Sequence, residues 1–345
     1  MFKIIFFLTS VFSIFSVSSS FASEIGLRGT LDGSDYDFER FKNFRALFLK
    51  DYKTIDEEVI RFRIFRENLR IIETHNSGLG QNFTMGVNQF TDLTPEEFKT
   101  LYASGLKTEV GSYGCKSFSS SSSGTPSAID WRTLGAVTSV KDQGQCGSCW
   151  TFSATGAIEG AWAISTGKLV DLSEEQLVEC ATGLSYGSHG CSGGQMDGAF
   201  KYVIEHGQCS LSDYPYTSGT GNSGTCQKCT SVAHISACSD VRPNDQLSLK
   251  AAVAQQPIAV AIEADTRYFQ SYSSGVLTSS SCGTNLDHGV LIVGYGEENG
   301  QKYWLVKNSW STTWGDNGYV KIARSESTND AGICGIAMQP SFPSV

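Results

Sequence analysis

The cysteines constrain this chain more than any other feature of its sequence. The 345-residue chain has 11 cysteines, and ten of them follow a serine-rich segment at residues 117–125. So many thiols are unusual in a reduced cytosolic protein and are typical of chains that fold in an oxidising compartment. The serine-rich segment has the composition of a flexible, protease-accessible linker. The sequence therefore predicts two parts with different roles, the second of them rich in cysteine.

Composition narrows the class of protein further. Hydrophobic residues make up 40% of the chain and aromatic residues 11%, which is enough for a packed core and excludes global disorder. The net charge is −9, and residues 125–345 contain 12 Lys+Arg against 20 Asp+Glu. Binding to nucleic acid needs clustered positive charge, so no nucleic-acid partner is expected.

The N-terminus has the pattern of a signal peptide. Lys3 precedes an apolar run from Ile4 to Val17, and Ser20-Phe21-Ala22 forms a small-x-small cleavage site. The alternative is a membrane anchor, but the run is short for a bilayer and contains serine and threonine. We therefore expect a signal peptide at residues 1–22, no membrane anchor and entry into the secretory pathway.

The upstream part is predicted to be helical. Thr54 and Glu57 form a capping box before apolar residues at helical spacing, and an earlier helix is predicted from Phe38 to Leu49. Thr94-Pro95-Glu96-Glu97 is a third helix start. Residues 82–92 between them are predicted to be extended.

The downstream part begins with helices and ends with strands. One buried helix is expected from Cys149 to about Gly167, and a second begins after Ser173. The predicted strands are residues 258–262, 289–293, 303–306 and 319–322. This order favours an α+β fold with two lobes.

The sharpest local signal is Gln143-Gly-Gln-Cys146-Gly-Ser-Cys149-Trp150. A thiol attacks a carbonyl only as the thiolate, and the first turn of a helix together with a nearby histidine favours that form. Two alternatives compete: a redox dithiol at Cys146 and Cys149, or a zinc site that adds Cys226 and Cys229. The first lacks an early βαβ unit, and the two pairs are too far apart for the second.

Two other residues complete the candidate chemistry. His288 lies directly before an apolar strand, where a loop presents an imidazole to a cleft. Asn308, in Lys307-Asn308-Ser309-Trp310, offers an amide oxygen that fixes the orientation of an imidazole.

Taken together, the chain resembles a papain-family cysteine protease of the cathepsin L-like branch, made as a preproenzyme. The resemblance covers residues 38–345 and assigns Cys149 as nucleophile, His288 as acid/base, Asn308 as imidazole orienter and Gln143 as oxyanion-hole amide. It also matches two prodomain motifs: Glu57, Arg61, Phe65, Asn68, Ile72 and Asn76, and then Gly86, Asn88, Phe90 and Asp92.

The resemblance implies a papain-like α+β fold, with a helical lobe, a β-barrel-like lobe and a cleft between them. A helical inhibitory prodomain would precede it at residues 23–124, helical over 38–100 and ending in the linker at 117–124. The mature enzyme would be residues 125–345. By resemblance, the prodomain runs through the cleft against the direction of the substrate and blocks it. The implied disulfides are Cys146–Cys191, Cys180–Cys226 and Cys282–Cys334, with the pairing of Cys115, Cys209, Cys229 and Cys238 left open.

The resemblance also implies how substrate binds. Gly193 and Gly194 would hold its backbone, near Trp310, and the pocket for the second residue before the cut would be lined by Met196, Ala261, Leu286, Gly289 and Gln339. This pocket is mostly apolar, and without an insertion before His288 an endopeptidase is favoured. We expect a monomer that needs no metal or organic cofactor and is activated in acid. It would cut proteins or peptides in a lysosome, in a vacuole or outside the cell. Its prodomain and cystatin-like proteins would inhibit it.

Overall fold

The computed structural model describes residues 36–107, 113–120, 123–278 and 282–345. The predicted signal peptide and residues 121–122 of the linker lie outside these ranges. The chain divides into two compact units, residues 1–68 and 69–345. This packing boundary differs from the predicted processing boundary at residue 125, because residues 69–107 pack into the same unit as the cysteine-rich part.

In the first unit, two helices pack through phenylalanine side chains. Helix α1 spans Tyr36–Leu47, and helix α2, Ile55–Ser77, begins in this unit and continues into the next. The ring of Phe41 lies 5.4 Å from that of Phe65, and Phe44 lies 4.9 Å from the same ring. Both predicted helices are therefore present, with α1 shifted by two residues towards the N-terminus.

The two predicted capping boxes differ in their hydrogen bonds. At Thr94 the box is complete, because its Oγ1 accepts from the Glu97 N–H and the Glu97 carboxylate accepts from the Thr94 N–H. At Thr54 only the first half forms. The carboxylate of Glu57 accepts from the N–H of Lys53 instead, 2.9 Å away.

The second unit combines helices with one large sheet. Its helices are α3 Pro95–Tyr102, α4 Cys149–Thr166, α5 Glu174–Cys180, α6 Met196–His206, α7 Gln246–Val253 and α8 Arg267–Gln270. Its strands are β1 Phe83–Met85, β2 Lys116–Phe118, β3 Ile129–Asp130, β4 Gln208–Cys209, β5 Ser231–Ala233, β6 Ala237–Val241, β7 Ile258–Ile262, β8 Tyr272–Leu277, β9 His288–Glu298, β10 Gln301–Lys307, β11 Tyr319–Ala323 and β12 Ser341–Ser344.

Ten of these strands form a sheet in the order β1-β8-β11-β10-β9-β7-β12-β6-β2, with β3 paired to β9. The four predicted strands appear as β7, β9, β10 and β11, and β9 extends to Glu298. Only β1 represents the extended segment predicted at residues 82–92. Both end strands of the sheet, β1 and β2, lie before the predicted processing site at residue 125, and β2 includes the first two residues of the serine-rich linker.

Two apolar cores hold this unit together, as expected for two lobes. One surrounds α4 and includes Trp150, Ala157 and Phe200. The other lies against the sheet and includes Trp304, Trp310 and Trp314. Alanine and glycine along α4 permit close packing: a Cβ at Gly156 would lie only 2.6 Å from a methyl group of Leu291 on β9. The helix that begins with Cys149 is thereby held against the strand that begins with His288.

Ten cysteines form five disulfides, and Cys149 is the one free cysteine of the described residues. The three bridges implied by the resemblance, Cys146–Cys191, Cys180–Cys226 and Cys282–Cys334, are present. The four cysteines left open pair as Cys115–Cys238 and Cys209–Cys229.

Candidate active site

The free thiol of Cys149 lies at the start of a helix. Cys149 is the first residue of α4 and is fully buried. Ser148 at the N-cap makes no side-chain capping bond, so the first N–H groups of the helix are not capped by it. Such an end stabilises negative charge nearby, which is the local condition that a reactive thiolate requires.

His288 begins β9 and is held on both sides. Its Nε2 lies 2.8 Å from Oδ1 of Asn308, and its ring stacks on the indole of Trp310 at a centroid distance of 4.5 Å. Its Nδ1 is buried and has no hydrogen-bond partner among the described residues. Because Asn308 fixes one nitrogen, the other remains available to exchange a proton.

Cys149 is adjacent to this strand. A Cβ added to Gly289, the residue after His288, would lie 3.2 Å from the carbonyl oxygen of Cys149. The hydroxyl of Ser153, one turn along α4, donates to the Val290 carbonyl at 2.6 Å. The structure therefore brings the predicted thiol and the predicted imidazole onto two elements in direct contact.

The side chain of Gln143 is held in place by the same segment that contains Asn308. Its Oε1 accepts from the hydroxyl of Ser309 at 2.7 Å, and its backbone N–H donates to the Ser309 carbonyl at 2.9 Å. Its Nε2 donates to the Cys146 carbonyl at 3.0 Å. One amide donor thus lies in the turn that leads into Cys149.

Burial moves the two titrating groups away from the ionised state. Desolvation raises the pKa of Cys149 to about 12, although a backbone hydrogen bond from Gly289 opposes the shift. Desolvation lowers the pKa of His288 to about 4, although the hydrogen bond that its ring donates to Asn308 opposes the shift. In this form of the protein, burial therefore favours the thiol and the neutral imidazole over the ion pair expected from the sequence.

The upstream segment around Gly105 accounts for this burial. A Cβ at Gly105 would lie 2.8 Å from Sγ of Cys149 and 2.6 Å from the Gly147 carbonyl. Gly194 donates its N–H to the Gly105 carbonyl at 3.0 Å, and Lys107 donates to the Gly194 carbonyl at 3.0 Å. Leu106 and Gly194 form a parallel bridge. Residues 105–107, the blocking segment, thus cover the thiol.

Leu106 of this segment is buried near residues that the sequence predicts to line the substrate pocket. Leu106 is buried in the same apolar cluster as Met196, Ala261 and Leu286. Gln339 lines a cavity of about 220 Å³ together with Met196. Gly193 lies against the blocking segment, because a Cβ there would be 2.9 Å from the Gly105 carbonyl.

The second prodomain motif, at residues 86–92, contacts the cysteine-rich part of the chain through hydrogen bonds and a ring contact. Gly86 donates its N–H to the Ser271 carbonyl at 2.8 Å, and the Asn88 amide donates to the Gln270 carbonyl at 2.7 Å. The ring of Phe90 lies edge-on to Trp310 at 5.6 Å. Asp92 is buried.

The first motif lies on α2. Phe65 and Asn68 are buried in the first unit, which also contains Glu57 and Arg61, and Ile72 is buried in the second. The Asn76 side chain donates to the Met85 carbonyl at 2.8 Å and accepts from the Met85 N–H at 2.9 Å. These bonds fasten the end of α2 to strand β1.

The disulfides exclude the two alternatives considered from the sequence. Cys146 is bonded to Cys191, so it forms no dithiol with Cys149. Cys226 and Cys229 belong to two different bridges, with Cys180 and Cys209, so their thiols are not free to bind zinc.

Sequence reasoning missed a buried ionic network behind the site. Lys141, two residues before Gln143, lies 3.0 Å from Glu159 on α4 and 2.6 Å from Glu174 on α5. Lys307, next to Asn308, donates to Thr138 at 3.0 Å, and Thr138 donates to Glu159 at 2.7 Å. Charged residues in an otherwise apolar stretch, such as Glu159 in α4, were the signal for it.

Comparison with known proteins agrees with this geometry. Residues 125–344 match the papain family cysteine protease domain. The chain belongs to the papain family of cysteine proteases. Residues 41–98 match the cathepsin propeptide inhibitor domain, so this papain-family chain is a zymogen with its propeptide.

Similar proteins cover both parts of the chain. A probable cysteine protease RD21C of Arabidopsis thaliana is 44% identical, over 96% of this chain and 73% of its own length. The structure of recombinant stem bromelain precursor has a TM-score of 0.82 and 41% identity, covering 90% of this chain and 99% of that one. Digestive procathepsin L 3 from the larval midgut of Tenebrio molitor has a TM-score of 0.81 and 39% identity, covering 90% of this chain and 100% of that one. The papain-like fold and the helical propeptide region are thereby established.

In the part of the chain that the structure describes, no helix combines the length and the apolar character needed to cross a membrane.

Proposed function

We propose that this papain-family zymogen gives rise to an endopeptidase in which Cys149, His288 and Asn308 carry out the reaction. The observation that supports this most strongly is the placement of the one free thiol, at the start of α4 and against the strand that begins with His288, under a propeptide segment that covers its sulfur.

The reaction begins when the blocking segment leaves. Water then reaches Cys149 and His288, the desolvation that favours their neutral forms is relieved, and the thiol proton passes to the imidazole. The thiolate attacks the scissile carbonyl. The Gln143 amide and the N–H of Cys149 stabilise the oxyanion, each such donor contributing on the order of 3 kcal/mol.

His288 then completes both halves of the cycle. It protonates the leaving amine, the thioester forms on Cys149, and the neutral imidazole next takes a proton from the water that hydrolyses this thioester. Asn308 holds the ring through Nε2, and Trp310 covers that hydrogen bond on one face. The proton taken from the sulfur leaves with the amine, and the proton taken from the water stays on His288, which regenerates the thiolate–imidazolium pair.

The substrate class follows from the pocket around Leu106. We propose an apolar residue, Leu, Val or an aromatic one, at the second position before the cut, in contact with Met196, Ala261 and Leu286. Gly193 and Gly194 would bind the substrate backbone in the direction opposite to the blocking segment. Gln339 is the polar residue of this pocket.

Processing and location complete the proposal. Residues 1–22 would direct the chain to the secretory pathway, residues 23–124 would inhibit it, and cleavage near Thr125 would define the enzyme at residues 125–345. Work in a lysosome or vacuole, or outside the cell, fits five disulfides. Cystatin-like proteins remain predicted inhibitors.

Acid is expected to speed activation. The ion pair between Lys99 of α3 and Asp265 helps to hold the propeptide, with the nitrogen and oxygen 2.6 Å apart. Hydrogen bonding to Asp265 raises the pKa of Lys99, so the lysine stays charged and the ion pair is kept at neutral pH. Burial raises the pKa of Asp287 to about 8, so this group is protonated throughout the range from pH 7 to 4.5.

The test incubates purified zymogen at pH 4.5 and at pH 7 and follows processing on gels, together with cleavage of a peptide that has Leu or Phe at the second position. We expect processing several-fold faster at pH 4.5, and activity that appears with the processed form. The variant Lys99→Met lacks the ion pair with Asp265 and should process faster than the wild type at pH 7. Equal processing rates at both pH values would contradict acid activation, and processed protein without peptidase activity would contradict the proposed function.

A further inference from the structure

A disulfide joins the two sides of the predicted processing site. Cys115 lies before the serine-rich linker, whereas Cys238 lies in β6 of the catalytic part, 123 residues further along the chain. Cleavage near Thr125 cuts the backbone between these cysteines and leaves the S–S bond intact. A single cut there therefore does not release the residues around Cys115.

The segment that carries Cys115 is part of the sheet. Residues 113–120, here called the arm, include β2, which pairs in parallel with β6 in the register Lys116–Ser239, Ser117–Asp240 and Phe118–Val241. Phe118 packs edge-on against Phe342 of β12 at a ring distance of 5.2 Å.

Backbone hydrogen bonds continue beyond the strand. The N–H of Arg242 donates to the Phe118 carbonyl at 2.9 Å. The hydroxyl of Ser248 on α7 accepts from the Ser120 N–H at 3.2 Å and lies 3.1 Å from the Ser120 carbonyl. The arm is thus bonded to the catalytic part by the disulfide before the strand and by these hydrogen bonds at and after the end of the strand.

The arm also covers groups that would otherwise meet water. It forms the edge of the sheet next to β6, so its loss would leave the polar backbone groups of β6 unpaired along that edge. Sγ of Cys115 and the carboxylates of Asp197 and Asp240 lie within 4.8 Å of one another. Burial and the nearby charge of Asp197 raise the pKa of Asp240 to about 7.

The opposite edge of the sheet provides a contrast. Strand β1 also comes from the propeptide and pairs with β8 through Phe83 and Thr84, but none of the five disulfides links it to the catalytic part. One propeptide strand is therefore held only by reversible contacts, and the other is held by a covalent bond.

We propose that the Cys115–Cys238 disulfide keeps the arm on the catalytic domain after activation, as a permanent edge strand of the mature enzyme. The proposal rests on the proposed conversion of the zymogen by cleavage. It requires that the blocking segment at residues 105–107 is freed by a cut on the N-terminal side of Cys115, whether or not the linker is also cut. The mature enzyme then contains Cys115 either in a disulfide-linked peptide or at its own extended N-terminus.

The retained arm reaches the predicted substrate pocket. Tyr113, at its beginning, lines the cavity of about 220 Å³ together with Met196 and Gln339. A Cβ at Gly187 would lie 1.8 Å from the Tyr113 hydroxyl. The side chain of Tyr113 therefore fits against residue 187 only because that residue is glycine. The arm thereby contributes a wall beside the two pocket residues.

The test uses full-length Cys149→Ala zymogen, purified without reductant and with N-ethylmaleimide present to block thiol exchange. An added protease cuts it, so that the result does not depend on the protein's own activity. Intact mass is then measured before and after dithiothreitol, which gives two electrons to each disulfide and becomes a cyclic disulfide itself. We expect every catalytic fragment to carry Cys115 before reduction. If the linker has been cut, reduction should release a peptide that contains Cys115. If Cys115 is still on the N-terminal extension of the catalytic fragment, reduction should change the mass of that fragment only by the hydrogens added to its disulfides.

Two variants serve as controls. Cys115→Ser with Cys238→Ser should lose the arm peptide on cleavage of the linker without any reductant. Cys209→Ser with Cys229→Ser removes a bridge within the catalytic part, and its fragment should still carry Cys115. The proposal is overturned if the cut Cys149→Ala protein yields, before reduction, a fragment that lacks Cys115 and has Cys238 alkylated. This measurement needs neither double variant to fold.

Discussion

Replacing Cys149 with alanine is expected to lower peptide hydrolysis by roughly 10⁶-fold, the size of loss seen when a protease nucleophile is removed. No other described cysteine is free to replace it, because the remaining ten are in disulfides. The variant should fold, since the side chain lost is small and makes no disulfide. The measurement is kcat/KM on a peptide with Leu or Phe at the second position before the cut.

The comparison needs a processed variant and a matched control. The Cys149→Ala zymogen cannot cut itself, so pepsin is used to process it and is then inhibited with pepstatin. Thr166→Ala, at the exposed far end of the same helix, loses a methyl group and a hydroxyl that donates to the Trp162 carbonyl and accepts from the Lys168 N–H, and it should keep full activity. Activity of Cys149→Ala within tenfold of the Thr166→Ala enzyme would refute the assignment of the nucleophile.

The second large effect is expected at Gly105, which lies against the Cys149 sulfur. Any side chain there meets the Gly147 carbonyl at 2.6 Å and the Cys149 sulfur at 2.8 Å, so Gly105→Val has to push the blocking segment away. Overpacking of this kind costs about 1–3 kcal/mol, which corresponds to an increase of roughly 5- to 150-fold in the population of the open cleft. Alkylation of Cys149 by iodoacetamide in intact zymogen at pH 7 should accelerate by that factor.

The neighbouring residue provides the control for Gly105. Ser104 is exposed, so Ser104→Val adds a similar side chain without entering the cleft. Its zymogen should react at the wild-type rate. Latency that is unchanged in Gly105→Val, with both variants folded, would show that the blocking segment does not protect the thiol.

The sequence predicted those parts of the site that depend on local motifs. The turn before Cys149, the strand after His288 and the Asn308 segment each carry a recognisable local pattern, and their chemistry constrains which residues must meet. The helix at Thr94 was predictable for the same reason, because a capping box needs only four consecutive residues.

Features that depend on distant pairing were not predictable. Strand β2 is short and lies in a serine-rich stretch, and it forms only because β6 offers an edge and Cys238 a bond, more than 100 residues away. The thiol–imidazole ion pair was expected without regard to the propeptide. Burial under Gly105 disfavours this pair in the zymogen, and no local motif reveals that burial.

The central claim is that His288 ionises Cys149 once the propeptide has gone, and the rate of Cys149 alkylation as a function of pH tests it most directly. In the zymogen, where burial holds the pKa of Cys149 near 12, the rate should stay low up to pH 9. In the mature enzyme it should be high already at pH 5–6 and should fall at that pH in His288→Ala. A mature enzyme whose reactivity rises only around pH 8.5, as for an ordinary thiol, and equally in His288→Ala, would contradict the account.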